Sequence, residues 1–302
     1  GFGMEQVALG WLIFEMTDSA WMVGISNAAR GVPFFLLGTL SGAIADRVDR
    51  RKFLRYLTVF GSLVSASIAA VLLANIGQAW YIIALTLGTG CMFALTMTIM
   101  QAYIFDIVGQ EHALNGLSLS MMSFRFGGLG GALLAGIVIT TLGVSGLYII
   151  CSITYLAAAA VLLGTRGVDQ ATPTKKSPVM ENIHDSITLM RYNRTLLTLM
   201  ILAILVEIFG ISWRSITPVI AKDVLNIGPF GLGIMTAVIH SGGVVGLILI
   251  ASLGSTQKKG LTTLITLICF GLGLMSFSLS SNIVILVMLM AVVAASASAI
   301  DP

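Results

Sequence analysis

Apolar runs of about 20 residues recur from one end of this 302-residue chain to the other. A run of that length is what an α-helix needs to cross roughly 30 Å of hydrocarbon at about 1.5 Å per residue. Ten such runs are predicted, over 1–16, 20–44, 53–74, 79–105, 114–140, 145–164, 195–222, 229–254, 261–280 and 282–300. They carry many Gly and Ala and lack the strict alternation of barrel strands, which fits packed membrane helices. Charged residues make up 10% of the chain and hydrophobic ones 57%, against roughly 25% charged in a soluble domain. The chain therefore reads as an all-α, multi-pass integral membrane protein in contact with the lipid bilayer.

The charges give that layout an orientation. Arg47, Arg50, Arg51, Lys52, Arg55, Arg166, Lys175, Lys176, Arg191, Arg194, Lys258 and Lys259 all fall in loops on one side, and only Lys222 falls in a loop on the other. An excess of Lys and Arg in short loops marks the cytoplasmic face, so the amino-terminal end of helix 1 is expected in the cytoplasm, most simply across a bacterial inner membrane. The net charge of +3 follows from these loops and calls for no nucleic-acid partner. Cys91, Cys151 and Cys269 lie in separate apolar runs and the three histidines are scattered, so no metal, cofactor or disulfide framework is expected.

The segment 165–194 breaks the apolar pattern with two prolines, five basic residues and Asp169, Glu181 and Asp185. It is read as a cytoplasmic linker between an amino-terminal lobe, 1–164, and a partial carboxy-terminal lobe, 195–302. The lobes echo one another: Trp21-x-x-Gly24-Ile25 recurs as Phe230-x-x-Gly233-Ile234, and Arg50-Arg51 as Lys258-Lys259, at nearly one offset. A duplicated six-helix unit explains both matches. On that register the chain is expected to be a fragment of a twelve-helix protein, without the start of helix 1 and without helices 11 and 12.

The loop Gly42-Ala-Ile-Ala-Asp46-Arg47-Val-Asp49-Arg50-Arg51 resembles the conserved G-x-x-x-D-R-x-G-R-R loop of the major facilitator superfamily, with Asp49 at the second glycine. Together with Leu9-Gly10-Trp11, Glu15-Met16-Thr17 and Ala29-Arg30-Gly31-Val32-Pro33, it is most similar to the drug and siderophore exporters of that superfamily. Helix 5 carries Gly127-x-x-x-Gly131-Ala132-Leu-Leu-Ala135-Gly136, similar to the exporters' antiporter motif G-x-x-x-G-P-x-x-G-G but with Ala132 at the proline. The same glycine spacing also suits close helix packing. The resemblance implies two pseudo-symmetric six-helix lobes that rock about a central path. It further implies that Asp46 acts across the cytoplasmic mouth on the second lobe, while Arg47 pairs with an acid at the end of helix 4, a position matched by Asp106. Arg50, Arg51 and Lys52 either belong to the same gate or only anchor topology.

Glu5, Arg30, Arg125, Glu207 and Arg214 fall inside the apolar runs. An ionised side chain at mid-depth costs roughly 3 kcal/mol or more, so each needs a wet cavity or an opposite charge. Glu207, then Glu5, are the candidates for proton coupling; the other reading makes them structural ion pairs with the arginines. Arg30, Arg125, Arg214, His240 and Trp213 are expected to line the substrate cavity, with His240 either a proton relay or a hydrogen-bonded packing residue. Nothing in the sequence forms a catalytic constellation or a phosphate-binding loop, so the chain is not read as an enzyme. The expectation is a monomeric secondary transporter for protons and a small amphipathic or aromatic compound, most simply an exporter. Nutrient uptake or uniport by the same fold, and a non-transporting scaffold or sensor, remain the alternatives.

Overall fold

A computed structural model of the chain describes residues 1–45, 47–164, 194–205, 208, 210, 212–252, 259–280 and 282–300, and all regular structure among them is helical. Helices α1 (Phe2–Thr17), α2 (Ala20–Ala45) and α3 (Arg50–Leu73) come first. The helical stretch Ala79–Gly164 leaves helical geometry at Gly109 (φ 73°, ψ 172°) and Gly143 (φ 73°, ψ 177°), which divides it into α4 (79–108), α5 (110–142) and α6 (144–164). Both breaks need a positive φ, which glycine adopts without a Cβ penalty. The chain turns back at the first of them. Phe93 and Phe124, on either side of Gly109, bring their ring centroids to 6.1 Å, and Gly116 packs on Ile104.

Helix α7 (Arg194–Leu205) follows, and then α8 (Gly228–Ser252), α9 (Lys259–Leu279) and α10 (Ile283–Ile300). The single helix expected over 195–222 is irregular in its second part: a 3₁₀ segment, Ser212–Ile216, passes through one α-turn, Thr217–Val219, into a π segment, Ile220–Val224. Pro218 accounts for the change, because it has no N–H to bond a carbonyl one turn back and its ring crowds that carbonyl. Of the expected linker 165–194, only Arg194 is among the described residues; Asp46 and Glu207 lie outside them.

Arg50–Leu73, Ala79–Gly164, Gly228–Leu249 and Thr262–Leu279 are long and apolar enough to cross a membrane by length and composition. Large apolar side chains such as Phe35, Leu156, Leu272 and Met288 face outward. Where lipid surrounds a helix, apolar burial cannot drive association, and small residues and hydroxyls take over. A Cβ on Gly3 would lie 2.6 Å from the Gly128 carbonyl, one on Gly233 2.7 Å from that of Ala132, and one on Gly242 2.5 Å from that of Ala291. These contacts draw α1 to α5, α5 to α8, and α8 to α10. Ser41 donates to Thr98 at 2.9 Å between α2 and α4, and the Ser62 and Ser152 hydroxyls meet at 2.8 Å between α3 and α6. One buried apolar cluster, with Leu9, Ala132, Leu147, Met235 and Met290, runs through α1, α5, α6, α8 and α10.

Candidate functional site

At the arginine-rich end, Arg50 is buried at the start of α3, and its Nη1 donates to both carboxylate oxygens of Asp106 at the end of α4, at 2.7 and 2.8 Å. The same side chain donates from Nε to the Ala45 carbonyl (3.0 Å) and from Nη1 to that of Ala102 (3.3 Å), tying the end of α2 to α3 and α4. This corrects the pairing that the resemblance implied. Arg47 is exposed in the turn and Arg50 holds the acid, because Arg50 opens α3 on the face turned to α4. Arg51 donates to the carbonyls of Leu162 and Leu163 (3.1 and 2.9 Å), capping the carbonyl end of α6, where a cation is favoured.

Asp49 explains the departure from the loop pattern. It is the N-cap of α3 with φ −65° and ψ 101°, a conformation open to any residue, and its carboxylate accepts from the Lys52 backbone N–H at 3.0 Å. That hydrogen bond lowers its pKa below the usual carboxylate value. Gly42 has open space around its Cβ position, so no close approach among the described residues requires it.

In the first turn of α1, Glu5 is 2% exposed, and Tyr155 on α6 donates its hydroxyl to Oε2 at 3.1 Å. Among the described residues no ion pair within 4.0 Å joins Glu5 to Arg30. Arg30 instead lies over the Phe2 ring, with Cζ 4.4 Å from its centroid. The Arg125 guanidinium fills the space left by Gly243, and the His240 ring packs on Gly128, where a Cβ would lie 2.5 Å from Cε1. His240 is buried, and among the described residues neither ring nitrogen has a hydrogen-bond partner.

Of the residues expected around the cavity, Arg214 and Trp213 part company. A cavity of about 60 Å³ between α1, α2, the 212–218 segment and α8 is lined by Gln6, Asn27, Arg214, Ser215, Thr217 and Thr236 among others. Trp213 turns away from it and packs on Phe277 of α9, with ring centroids 5.7 Å apart. Successive side chains of a 3₁₀ segment project about a third of a turn apart, so neighbours in sequence serve different surfaces. Gln6, Asn27, Thr236 and Tyr155 escaped the sequence reading, although each puts a neutral polar group inside an apolar run. In the helix-5 motif, Gly131 meets the backbone of Gly3 and Met4 and Gly136 that of Phe230, so these two glycines serve close packing, whereas Gly127 has open space among the described residues.

At the opposite end, α1 meets the irregular segment. Lys222 donates to Asp18 at 2.9 Å and lies 4.7 Å from the Phe14 ring centroid, while Gly10 gives room to Pro218. The hydrogen bond to Asp18 raises the Lys222 pKa above its usual value.

The profile of the transmembrane secretion effectors matches residues 1–299, nearly all of this helical frame. The chain belongs to that family, within the major facilitator superfamily. The enterobactin exporter EntS of Citrobacter koseri is 25% identical over 271 residues, covering 87% of this chain and 63% of its own length. The staphyloferrin A transporter of Staphylococcus aureus is 23% identical over 249 residues, covering 81% and 62%. The chain thus spans less than two thirds of the length of these relatives. Among solved structures, the nucleoside transporter NupG (D323A mutant) superposes with a TM-score of 0.76 at 14% identity, covering 99% of this chain and 77% of its own. A bacterial homologue of the human lysosomal transporter Spinster, in an inward-facing and unoccupied conformation, reaches 0.71 at 15% identity over 99% and 71%. These structures share the fold, and the named relatives are transporters rather than enzymes.

Proposed function

We propose that this protein is a secondary transporter of the bacterial cytoplasmic membrane, exporting a small amphipathic or aromatic, siderophore-like solute in exchange for protons. Two six-helix lobes, 1–164 and one beginning at 195, alternate access to a central path, with the amino-terminal end of α1 in the cytoplasm and a monomer as the working unit. The observation that carries this reading is Glu5, a carboxyl within an apolar run that is closed off from solvent and held by the hydroxyl of Tyr155. A carboxyl so placed can take up and release a proton as access alternates, which a carboxylate locked in an ion pair does poorly. Glu207, within the apolar run 195–222, is the second exchange site.

Orientation is supported by Arg50 and Arg51, which gather at the end where α3 begins and α4 and α6 finish. At the far end, the contacts of Asp18 with Lys222 and of Gly10 with Pro218 close the outer side, so outward release requires them to part. An ion pair at a helix end biases such a two-state closure without locking it. Transport of a siderophore, named for both relatives and as export for one of them, suits a path lined by both amides and a guanidinium.

The test is gradient-driven uptake of a fluorescent drug and siderophore panel into everted vesicles holding the full-length protein. Accumulation should need an inward-acidic proton gradient, and Glu5→Gln and Glu207→Gln should each abolish it while leaving solute exchange without a gradient. Transport indifferent to collapse of the gradient would mean uniport, and no transport at all would favour the scaffold reading.

A further inference from the structure

Three phenylalanines from three helices meet one arginine from a fourth. Phe2 (α1) and Phe93 (α4) stack with centroids 4.4 Å apart at 18°, and Phe124 (α5) lies tilted at 5.1 Å from Phe2 and 6.1 Å from Phe93. Arg30 (α2) places its guanidinium over Phe2. All four side chains are partly exposed, so the cluster keeps open surface.

The charge on Arg30 is the part that needs an explanation. Among the described residues it makes no ion pair within 4.0 Å, and the carboxylate of α1 at this depth, Glu5, is engaged by Tyr155 on another helix. A phenyl face attracts a guanidinium but does not neutralise it. A guanidinium within an apolar run that no carboxylate meets in an ion pair is a standing demand for an anion. Phe2 is already faced by Phe93 and by Arg30, so Phe93 and Phe124 supply the apolar faces on which a second flat system can stack. A ligand that answers both demands has an aromatic plane and a negative charge in or next to that plane.

Resting on the transport reading above, we propose that Phe2, Phe93, Phe124 and Arg30 form a recognition platform for the planar aromatic, anionic part of the solute. Arg30 takes the anionic oxygens in its planar fork, and Phe93 and Phe124 take the ring. Specificity then comes from requiring both features together. A neutral aromatic leaves the guanidinium unanswered, and a non-planar anion forfeits the ring faces.

The platform is tested by ligand-observed saturation-transfer NMR on the full-length protein in lipid nanodiscs, with benzoate, benzamide and cyclohexanecarboxylate as probes. Benzoate should bind about tenfold more tightly than either of the others. Arg30→Gln should remove the preference over benzamide, and Phe93→Leu the preference over cyclohexanecarboxylate, with each variant leaving the other preference in place. Equal binding of benzoate and cyclohexanecarboxylate by the unaltered protein would overturn the proposal, as would an unchanged benzoate preference in Arg30→Gln. The unaltered protein with the three probes decides the matter even where a variant does not fold. Selective benzoate binding without gradient-driven transport would leave the platform standing and remove the export reading; transport without such selectivity would do the reverse.

Discussion

Arg50 and Asp106 meet at 2.7 Å across the ends of α3 and α4, with only 10% and 2% of their side-chain surfaces exposed. The pair joins the start of one helix to the end of another and, through the Ala45 carbonyl, fastens the end of α2 as well. Removing one member leaves a buried charge unanswered, which costs roughly 3 kcal/mol. Asp106→Asn and Arg50→Gln should therefore each lower the thermal unfolding midpoint of the purified protein by several degrees. Arg47→Gln, at an exposed position, should leave it nearly unchanged. Equal losses from Arg47→Gln and Arg50→Gln would remove the assignment of Arg50 as the holder of Asp106.

The N-cap of α3 has a pH signature. Because the Lys52 backbone hydrogen bond depresses the Asp49 pKa, its capping contribution is fully present above the ordinary value of 3.8 and fades as pH falls through the lower folded value. Asp49→Ala should cost about 1 kcal/mol at neutral pH. The difference in unfolding midpoint between the two proteins should hold at neutral pH and shrink only on the acid side of that value. A difference that stayed constant to the lowest accessible pH would argue against the cap as its source.

The outer pair should behave in the opposite sense. The hydrogen bond to Asp18 raises the Lys222 pKa, so the ammonium's contribution is complete below the ordinary value of 10.5 and is lost only as pH rises through the raised value. From about pH 6 to pH 9 the ammonium's contribution is then insensitive to pH. In a background with Cys91, Cys151 and Cys269 replaced by Ala, Asn27→Cys reports on access to the cavity. Lys222→Gln should increase its labelling by an external, membrane-impermeant maleimide across that range, and Lys222→Arg should not. No increase with Lys222→Gln would show that other contacts keep the outer side shut.

Glycines that look alike in the sequence should separate on substitution. A Cβ on Gly242 would sit 2.5 Å from the backbone oxygen of Ala291, whereas Gly24 has nothing within 4 Å. Gly242→Ala forces α8 and α10 apart and should destabilise by about 1–3 kcal/mol. Gly24→Ala should be neutral or slightly stabilising, since alanine is the better helix former. Thermal unfolding of the two variants side by side measures the contrast.

The succession of apolar runs, the side on which Arg and Lys gather, and the family were all legible in the residues alone. Each is a property along one dimension: a run length matched to bilayer thickness, a charge bias between alternate loops, and a loop motif of ten contiguous residues. The depth of Glu5 and Arg30 within their runs was legible for the same reason. Their neighbours were not. Tyr155 lies 150 positions from Glu5, and Lys222 lies 204 from Asp18. Such meetings depend on the height and rotation at which helices pack, which are settled where small residues let backbones touch, as at Gly3 with Gly128 and Gly233 with Ala132. The same packing gave Asp106 to Arg50 instead of Arg47, turned Trp213 away from the cavity that Arg214 lines, and brought Arg30 onto a ring instead of a carboxylate. Sequence spacing puts a charge at membrane depth, but only the packed helices decide what it faces there.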